Sequence, residues 1–509
     1  MKIETIAIFV LVVSIIVSCS NSNQQKESDQ NELPNIILLM GDDHGWDEVG
    51  YNGHPFVKTP VLDEMANSGL RFDRFYSGHA SCSPTRGSFM TGRHPNRYGT
   101  FAPGWSLRPE EITIAHLAKK AGYATAHFGK WHLGPVKKVS PTNPAAMGFD
   151  EYLSHDNFFE LDPVMSRNGE APQKIEGESS QILIDETKHF IQNSEDKKQP
   201  FFIVIWFGSP HEPYQGLPED LALYKNLPDS LSKKKVRLTS NETGTRTERP
   251  LRDVLQERYA EITAMDRAIG DLRSFLKEKN LKDNTLLWYC GDNGTPPSAG
   301  RTGMTIREDK GSLYEGGVLV PGVLEWPAKI QKPTISKTIA VTSDFLPTFA
   351  DLTGVSLPDR PIDGVSLIPH IENPELERIE PICFWKFESG KVFKDSVQHY
   401  IDPELQVGTT PLVKKMGDIY TRNFKNYKYK TISKGDYSGE RAITANRFKL
   451  VVGGKSPNAS GFELYDIEND RAETNNIADK HPEVVEGMNA KLQAWQKSVL
   501  ESLTGKDYH

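Results

Sequence analysis

Apolar runs that each stop at a polar cluster set the frame of this chain. "NIILLMGDD" (35–43), "YATAHFGKWH" (123–132), "PFFIVIWFGSPH" (200–211) and "NTLLWYCGDNG" (284–294) all begin as short stretches of strand character. Between them lie patterns of helical spacing: "TPVLDEMANSGL" (59–70), "TIAHLAKKAG" (113–122), "SQILIDETKHFIQ" (180–192) and "LQERYAEITAMDRAIGDLRSFLKEK" (255–279). Strands alternating with helices predict an α/β fold whose mostly parallel sheet is covered on both faces. Near residue 375 the rhythm breaks. "RFKLVVGG" and "GFELYDIEND" predict antiparallel strands, and "HPEVVEGMNAKLQAWQKSVLESL" a closing helix. The expected organisation is an α/β domain over 34–374 followed by a smaller α+β subdomain over 375–509, and 509 residues suffice for two cores.

The first residues read as an address. Lys2 precedes "IAIFVLVVSIIV" (6–17), an apolar run too short for the ~20 residues of a membrane-spanning helix. Residues 1–18 are expected to be an export signal, and Cys19 stands where a bacterial lipoprotein is cleaved and lipidated. Residues 19–33 form a polar tether of disordered composition. A plain secretory peptide with an incidental cysteine is the alternative; both readings export the mature chain. The expected place is the periplasm, on the bacterial outer membrane, with a lipid on Cys19 as the sole membrane attachment. A formal net charge of −8 without a long basic tract implies no general affinity for nucleic acid.

The cysteines sharpen the picture. If Cys19 carries lipid, Cys82, Cys290 and Cys383 remain, an awkward number for an exported disulfide framework. Cys290 in "TLLWYCGDN" and Cys383 in "PICFWKF" read as buried core thiols. Cys82, in "SCSPTRGSF", is the odd one.

The four strand-like runs end at Asp42-Asp43, at Lys130 and His132, at His211, and at Asp292-Asn293. Open parallel sheets bind ligands beyond the carboxyl ends of their strands, so these clusters converge if the four strands are parallel neighbours. Taken singly, Asp-Asp reads as a helix cap and Asp-Asn-Gly as a turn. Together, Asp42, Asp43, Asp292 and Asn293 form an oxygen-only set suited to a hard cation such as Ca²⁺ or Mg²⁺. A zinc site would want histidine or thiolate ligands at characteristic spacings. Arg86, Lys130, His132, His211 and Lys310 add cationic donors, and a tetrahedral oxyanion ester is the natural occupant between them and the metal. Ser83 is a plausible N-cap, Pro84 a preferred first-turn residue and Gly92 a stop, which places Cys82 at the start of a short helix, a setting that favours anions. A low-pKa thiolate nucleophile is conceivable there, but it matches a hard, cation-bound ester poorly.

"CSPTRGSFMTGR" resembles the signature of the formylglycine-dependent sulfatases, in which the cysteine of Cys-x-Pro-x-Arg is oxidised after synthesis. "PNIILLMGDDHGWDEVGYNG", "TPVLDEMANSGLRFDRFY", "GYATAHFGKWHLG", "SPHEPY", "MDRAIGDL", "GDNG", "KGSLYEGGVLVPGVLEWP" and "ELYDIENDRAETNNIA" resemble that family's phrases in order. The resemblance implies an alkaline-phosphatase-like sulfatase fold. It implies that a maturase converts Cys82 to formylglycine (3-oxoalanine), and that Asp42, Asp43, Asp292 and Asn293, with residue 82, hold one Ca²⁺. Arg86, Lys130, His132, His211 and Lys310 match the family's catalytic and sulfate-binding set.

In the implied mechanism a hydroxyl of the hydrated aldehyde attacks sulfur. His211, helped by Lys310, protonates the leaving oxygen, and His132 near Lys130 takes the proton that lets the aldehyde reform. Formylglycine-bearing phosphonate monoester and phosphodiester hydrolases are a rival reading, and a non-catalytic glycan-binding relative another. The expected substrate is a sulfated polysaccharide or oligosaccharide, from algal cell walls (ulvan, carrageenan) or glycosaminoglycans. Residues 226–253, rich in lysine and arginine, and 386–441, which interleave aromatics with lysines, depart from the compact family pattern. The second could line a sugar subsite; solvated loops are the plain reading of both.

Overall fold

The apolar runs become neighbouring strands. The structure, a computed structural model, describes residues 33–239, 244–300, 303, 306–388, 398–413 and 420–508. The expected leader and Cys19 lie outside the described residues. Strands are β1 Asn35–Gly41, β2 Leu70–Tyr76, β3 Ala124–Lys130, β4 Glu151–His155, β5 Val164–Arg167, β6 Gln173–Lys174, β7 Phe201–Trp206, β8 Lys235–Thr239 and β9 Arg246–Pro250. They continue with β10 Thr285–Gly291, β11 Leu319–Val320, β12 Gly322–Glu325, β13 Thr334–Val341, β14 Ile382–Trp385, β15 Arg441–Thr444, β16 Phe448–Val452 and β17 Phe462–Asp466. Helices are α1 Pro60–Ser68, α2 Cys82–Thr91, α3 Ile114–Lys120, α4 Ser179–Asp196, α5 Pro218–Ala222, α6 Leu251–Glu278, α7 Glu315–Val318, α8 Phe345–Thr353, α9 Ile368–Glu372 and α10 Pro482–Leu503.

The main sheet runs β11-β2-β12-β10-β1-β7-β3-β4-β5-β6, with β13 pairing β2. Its centre, β10-β1-β7-β3-β4, is parallel throughout. Register brings the strand ends level: Gly41 pairs Gly291, while Met40 and Gly129 both pair Trp206. Every residue of β7 and β10 is buried, as expected for strands covered on both faces. On one face α1, α4 and α6 contribute Leu62, Met65, Ile184, Phe190, Met265 and Leu272 to the core. On the other face Phe349 of α8 packs its ring edgewise against Phe202 and Tyr123.

The smaller C-terminal sheet, β14-β15-β16-β17, is antiparallel as predicted, and α10 covers it through Val485, Met488 and Leu492. Both sheets belong to one compact unit, Pro34–His509. No described helix is long and apolar enough to cross a membrane. The segment 226–253 departs from the loop expectation: it holds the antiparallel hairpin β8–β9, anchored by the buried Val236 and Leu238.

Candidate functional site

Cys82 opens helix α2, with Gly92 closing it in the left-handed region at φ +68°. The N-cap is Ser81 rather than Ser83, so Cys82 is the first helical residue; Ser83 Oγ instead accepts from the Gly104 N–H at 3.2 Å. The helix is buried along its whole length, and its N-terminus faces the carboxyl ends of the central strands. Cys82 Sγ lies 3.5 Å from Asp42 Oδ1, 3.8 Å from Asp43 Oδ1 and 3.4 Å from Lys310 Nζ. Burial, reinforced by Asp292 and Asp42, pushes its thiol up to about 12 against the pull of Lys130 and Lys310. Among the protein's own groups it is a neutral thiol at neutral pH, which disfavours the thiolate reading.

The strand-end clusters meet around it. Arg86, one turn along α2, directs Nε and Nη2 at Asp292 Oδ2 (3.2 and 2.8 Å), donates Nη1 to the Lys130 carbonyl at 3.0 Å and sits 5.0 Å over the Trp206 ring. Lys130 Nζ lies 2.5 Å from Asp42 Oδ2, and Lys310 Nζ bonds Asp43 Oδ1. Asp292 Oδ1 accepts the Asp43 N–H at 2.9 Å, and Asn293 Nδ2 donates to Asp43 Oδ1 at 2.8 Å. Asp43 and His132 both sit at positive φ, +63° and +57°, conformations costly for residues with a Cβ and concentrated at functional sites.

The charges pull in different directions. Burial, together with Asp292 and Asp43, pushes the Asp42 carboxyl up to about 7 despite Lys130 and Arg86. Burial also works on Asp43, but Lys310, His211 and Lys130 outweigh it and hold that carboxyl well below the usual range. Burial alone would lower Lys310; Asp43 and its neighbours overcome it and keep the ammonium charged. Ligand atoms of Asp42, Asp43, Cys82 and His211 lie within 4.8 Å of one another. Asn293 Oδ1 is buried and has no hydrogen-bond partner among the described residues. An orphaned amide oxygen beside crowded carboxylates fits a hard divalent cation, whose charge would satisfy both.

The two histidines have different surroundings. His211 bonds the Glu212 carbonyl through Nδ1 at 2.6 Å, which turns Nε2 toward Asp43 Oδ2 at 3.6 Å; its ring stacks on Phe158 at 4.3 Å. His132 is buried with Arg422 Nη1 3.4 Å from its Nε2. Burial, then Lys130, Arg422, Arg86 and His211, hold its imidazole well below the ordinary range, so Nε2 keeps a lone pair.

The structure thus brings all the sequence-predicted site residues into one locus: Asp42, Asp43, Cys82, Arg86, Lys130, His132, His211, Asp292, Asn293 and Lys310. Sequence reasoning missed Phe158, Arg422 and Arg258. Arg258 of α6 is fully buried, bonds Glu48 with Nε at 2.7 Å and Nη2 at 2.5 Å, and donates to the carbonyls of Asp43 (2.6 Å) and Pro210 (2.5 Å). It ties the loops after β1 and β7 to one helix. Its signal was visible: an arginine on the same helical face as Val254, Ile262, Met265 and Ile269. Cys290 is buried and Cys383 half-buried; neither is disulfide-bonded.

The family described as Sulfatase matches residues 34–355. Among curated proteins the chain is 32% identical over 373 residues to arylsulfatase A of Homo sapiens, covering 66% of this chain and 67% of that one. It is 28% identical over 386 residues to the ulvan-active sulfatase of Formosa agariphila, covering 74% and 73%. It is 29% identical over 380 residues to N-acetylgalactosamine-6-sulfatase of Mus musculus, and the match spans 66% of each chain. Among solved structures, Ps i-CgsB in complex with k-i-k-neocarrahexaose superposes with a TM-score of 0.71 and 25% identity, covering 92% of this chain and 93% of that one.

Proposed function

This chain belongs to the sulfatase family, and on that premise we propose that it hydrolyses sulfate esters on a sulfated oligosaccharide or polysaccharide of algal or glycosaminoglycan type. The observation that carries the reading is the placement of Cys82 Sγ between Asp42, Asp43 and Lys310, where a thiol has no chemical task of its own but an oxygen nucleophile derived from it would. Conversion of Cys82 to formylglycine by a maturase would supply, as the hydrated aldehyde, one hydroxyl to attack sulfur and a second whose deprotonation would re-form the aldehyde and expel sulfate with the first oxygen. Asp42, Asp43, Asp292 and Asn293 would hold Ca²⁺, which would supply charge stabilisation to the ester oxygens.

The chain's own residues do the rest. Arg86, held by Asp292, and Lys130, held by Asp42, fix positive charge where the sulfuryl oxygens gather negative charge. Lys310 adds a third cation beside residue 82. His211 presents Nε2 toward this centre and protonates the leaving sugar oxygen. His132, kept neutral by burial and by its cationic neighbours, accepts the proton at Nε2 as sulfate departs. In this reading residues 34–374 carry the catalysis, and 375–509 complete the site through Arg422.

The leader and Cys19 support an exported lipoprotein of the periplasm, and net charge −8 supports a carbohydrate rather than a nucleic-acid partner. Two measurements test the proposal. Peptide mass analysis of active enzyme should show residue 82 lighter than cysteine by about 18 Da, one sulfur and two hydrogens lost and one oxygen gained; full activity with an alkylatable Cys82 thiol would overturn the nucleophile. A sulfate ester should be turned over in preference to a phosphate diester of the same alcohol, and the reverse preference would overturn the reaction.

A further inference from the structure

The hairpin β8–β9 borders a cavity of about 520 Å³ that reaches from Asp43, His211 and Lys310 to Lys234, Lys235, Arg237 and Arg246. That volume is within the ~300–1,000 Å³ common for small-molecule sites. The hairpin's sequence explains its two faces. In "KVRLT" (235–239) Val236 and Leu238 are buried against Leu251, Val254 and Leu255 of α6, while Lys235 and Arg237 are exposed. The register sets Glu248 opposite Arg237 and Arg246 opposite Thr239, so Arg246 joins the face of Lys235 and Arg237.

Arg237 is committed to Glu248, Nε to Oε1 at 3.1 Å. Lys234, Lys235 and Arg246 pair with no carboxylate among the described residues. Apart from Asp43, which Lys310 already holds, the cavity lining contains one acid, Glu212. A chain of net charge −8 thus keeps three unpaired cations beside a site built for one anion. Exposed cations contribute little one at a time, so an anion is selected only where several converge.

We propose that this ledge is a second anion subsite, which holds a carboxylate or sulfate on the sugar residue adjoining the one whose sulfate ester is hydrolysed. The inference rests on the sulfatase reading of the neighbouring site. It narrows the substrate class to saccharides with anionic groups on two neighbouring residues.

The test uses the full-length matured enzyme and three disaccharides that share one scissile sulfate ester. The adjoining residue bears a uronate carboxylate, a second sulfate, or hydroxyls only, and an aryl sulfate serves as reference. Wild type is expected to favour at least one doubly anionic sugar by about tenfold in kcat/KM, mainly through KM and less so at high salt. Lys235→Ala/Arg246→Ala should erase that preference while the singly sulfated sugar and the aryl sulfate stay within about twofold of wild type. The Lys235→Arg/Arg246→Lys protein should retain it. The uronate and second-sulfate arms show which anion the ledge takes. If the alanine pair slowed singly and doubly anionic sugars alike, or neither, the subsite would be wrong.

Calorimetry of the same disaccharides on Cys82→Ser protein separates the two proposals. If no sulfate ester were hydrolysed, the sulfatase reading would fall, and affinity would still decide the ledge. Loss of binding confined to the doubly anionic sugars in the alanine pair supports it; unchanged binding overturns it.

Discussion

His211 Nε2 faces the Asp43 carboxylate at 3.6 Å, whereas His132 is buried and crowded by Lys130, Arg422 and Arg86, charges of the same sign as its own imidazolium. That contrast supports the proposed division into proton donor and proton acceptor, and kinetics can read it. A sugar alkoxide needs protonation to leave, while a nitrophenolate leaves with little help. His211→Ala is therefore expected to cut kcat on the sugar sulfate roughly 10²–10⁴-fold with a much smaller effect on an aryl ester. His132→Ala should slow both esters alike, because sulfate release follows the departure of either alcohol. Mass analysis should then find a sulfated residue 82, and equal losses in His211→Ala with no adduct in His132→Ala would overturn both roles. Asp292 orients Arg86 and, in the proposed site, would also supply a ligand oxygen. Asp292→Ala leaves a fully buried guanidinium without its main partner, a loss of about 3–5 kcal/mol for a broken buried pair, and should behave as metal-stripped enzyme that added Ca²⁺ does not rescue.

At the scale of elements, the site depends on how closely β3 and β7 approach. Gly129 sits in β3 at φ +105°, and a Cβ there would lie 1.9 Å from the Trp206 carbonyl oxygen. Gly129→Ala is expected to cost upwards of ~2 kcal/mol and to displace Lys130, the next residue; a thermal melt and kcat together would check both effects. Helix α6 has a comparable role through Arg258. Arg258→Leu strands Glu48 in the interior and frees the Asp43 and Pro210 carbonyls, for a loss of about 3–5 kcal/mol. Retained stability in that variant would show that the loops after β1 and β7 hold their shape without the helix. Neither residue was singled out from the sequence. Gly129 sits in a strand pattern where only the facing carbonyl reveals its purpose, and the helical period of α6 puts Arg258 on the buried face without showing which groups it meets there.

Across the whole molecule, α10 and the residues after it pack against the segment 93–97, which follows the helix that carries Cys82. Arg97 donates to Ser498 and Ser502 at 3.0 Å, Trp495 donates to Asp363 at 2.7 Å and meets the His94 ring edgewise at 4.9 Å, and Arg93 pairs with Asp507. Deleting residues 482–509 is expected to remove soluble, catalytically competent protein altogether. A stable fragment lacking α10 that still turned over an aryl sulfate would contradict that dependence. Chelation should abolish activity of the intact chain, with Ca²⁺ restoring it better than Zn²⁺; zinc-specific rescue would overturn the oxygen-only ligand set.

What the sequence determined by itself is whatever follows from local period and residue chemistry. The four buried strands, the four principal helices between them, the polar residues at each strand end and the identity of Cys82 as the centre of the site were all legible, because side-chain alternation and oxygen-ligand chemistry act within a few residues. Tertiary structure decided the rest. Only the parallel register of β10, β1, β7 and β3 brings the strand ends to one level, and only packing delivers Arg422 to His132 across 290 positions of sequence. The same holds for the basic segment near residue 235, which as a string of charges reads as solvated loop. Its two buried apolar residues weld it to α6 and turn its cations toward the cavity, since which face of a hairpin meets solvent is set by the surface it packs on and not by the strand alone.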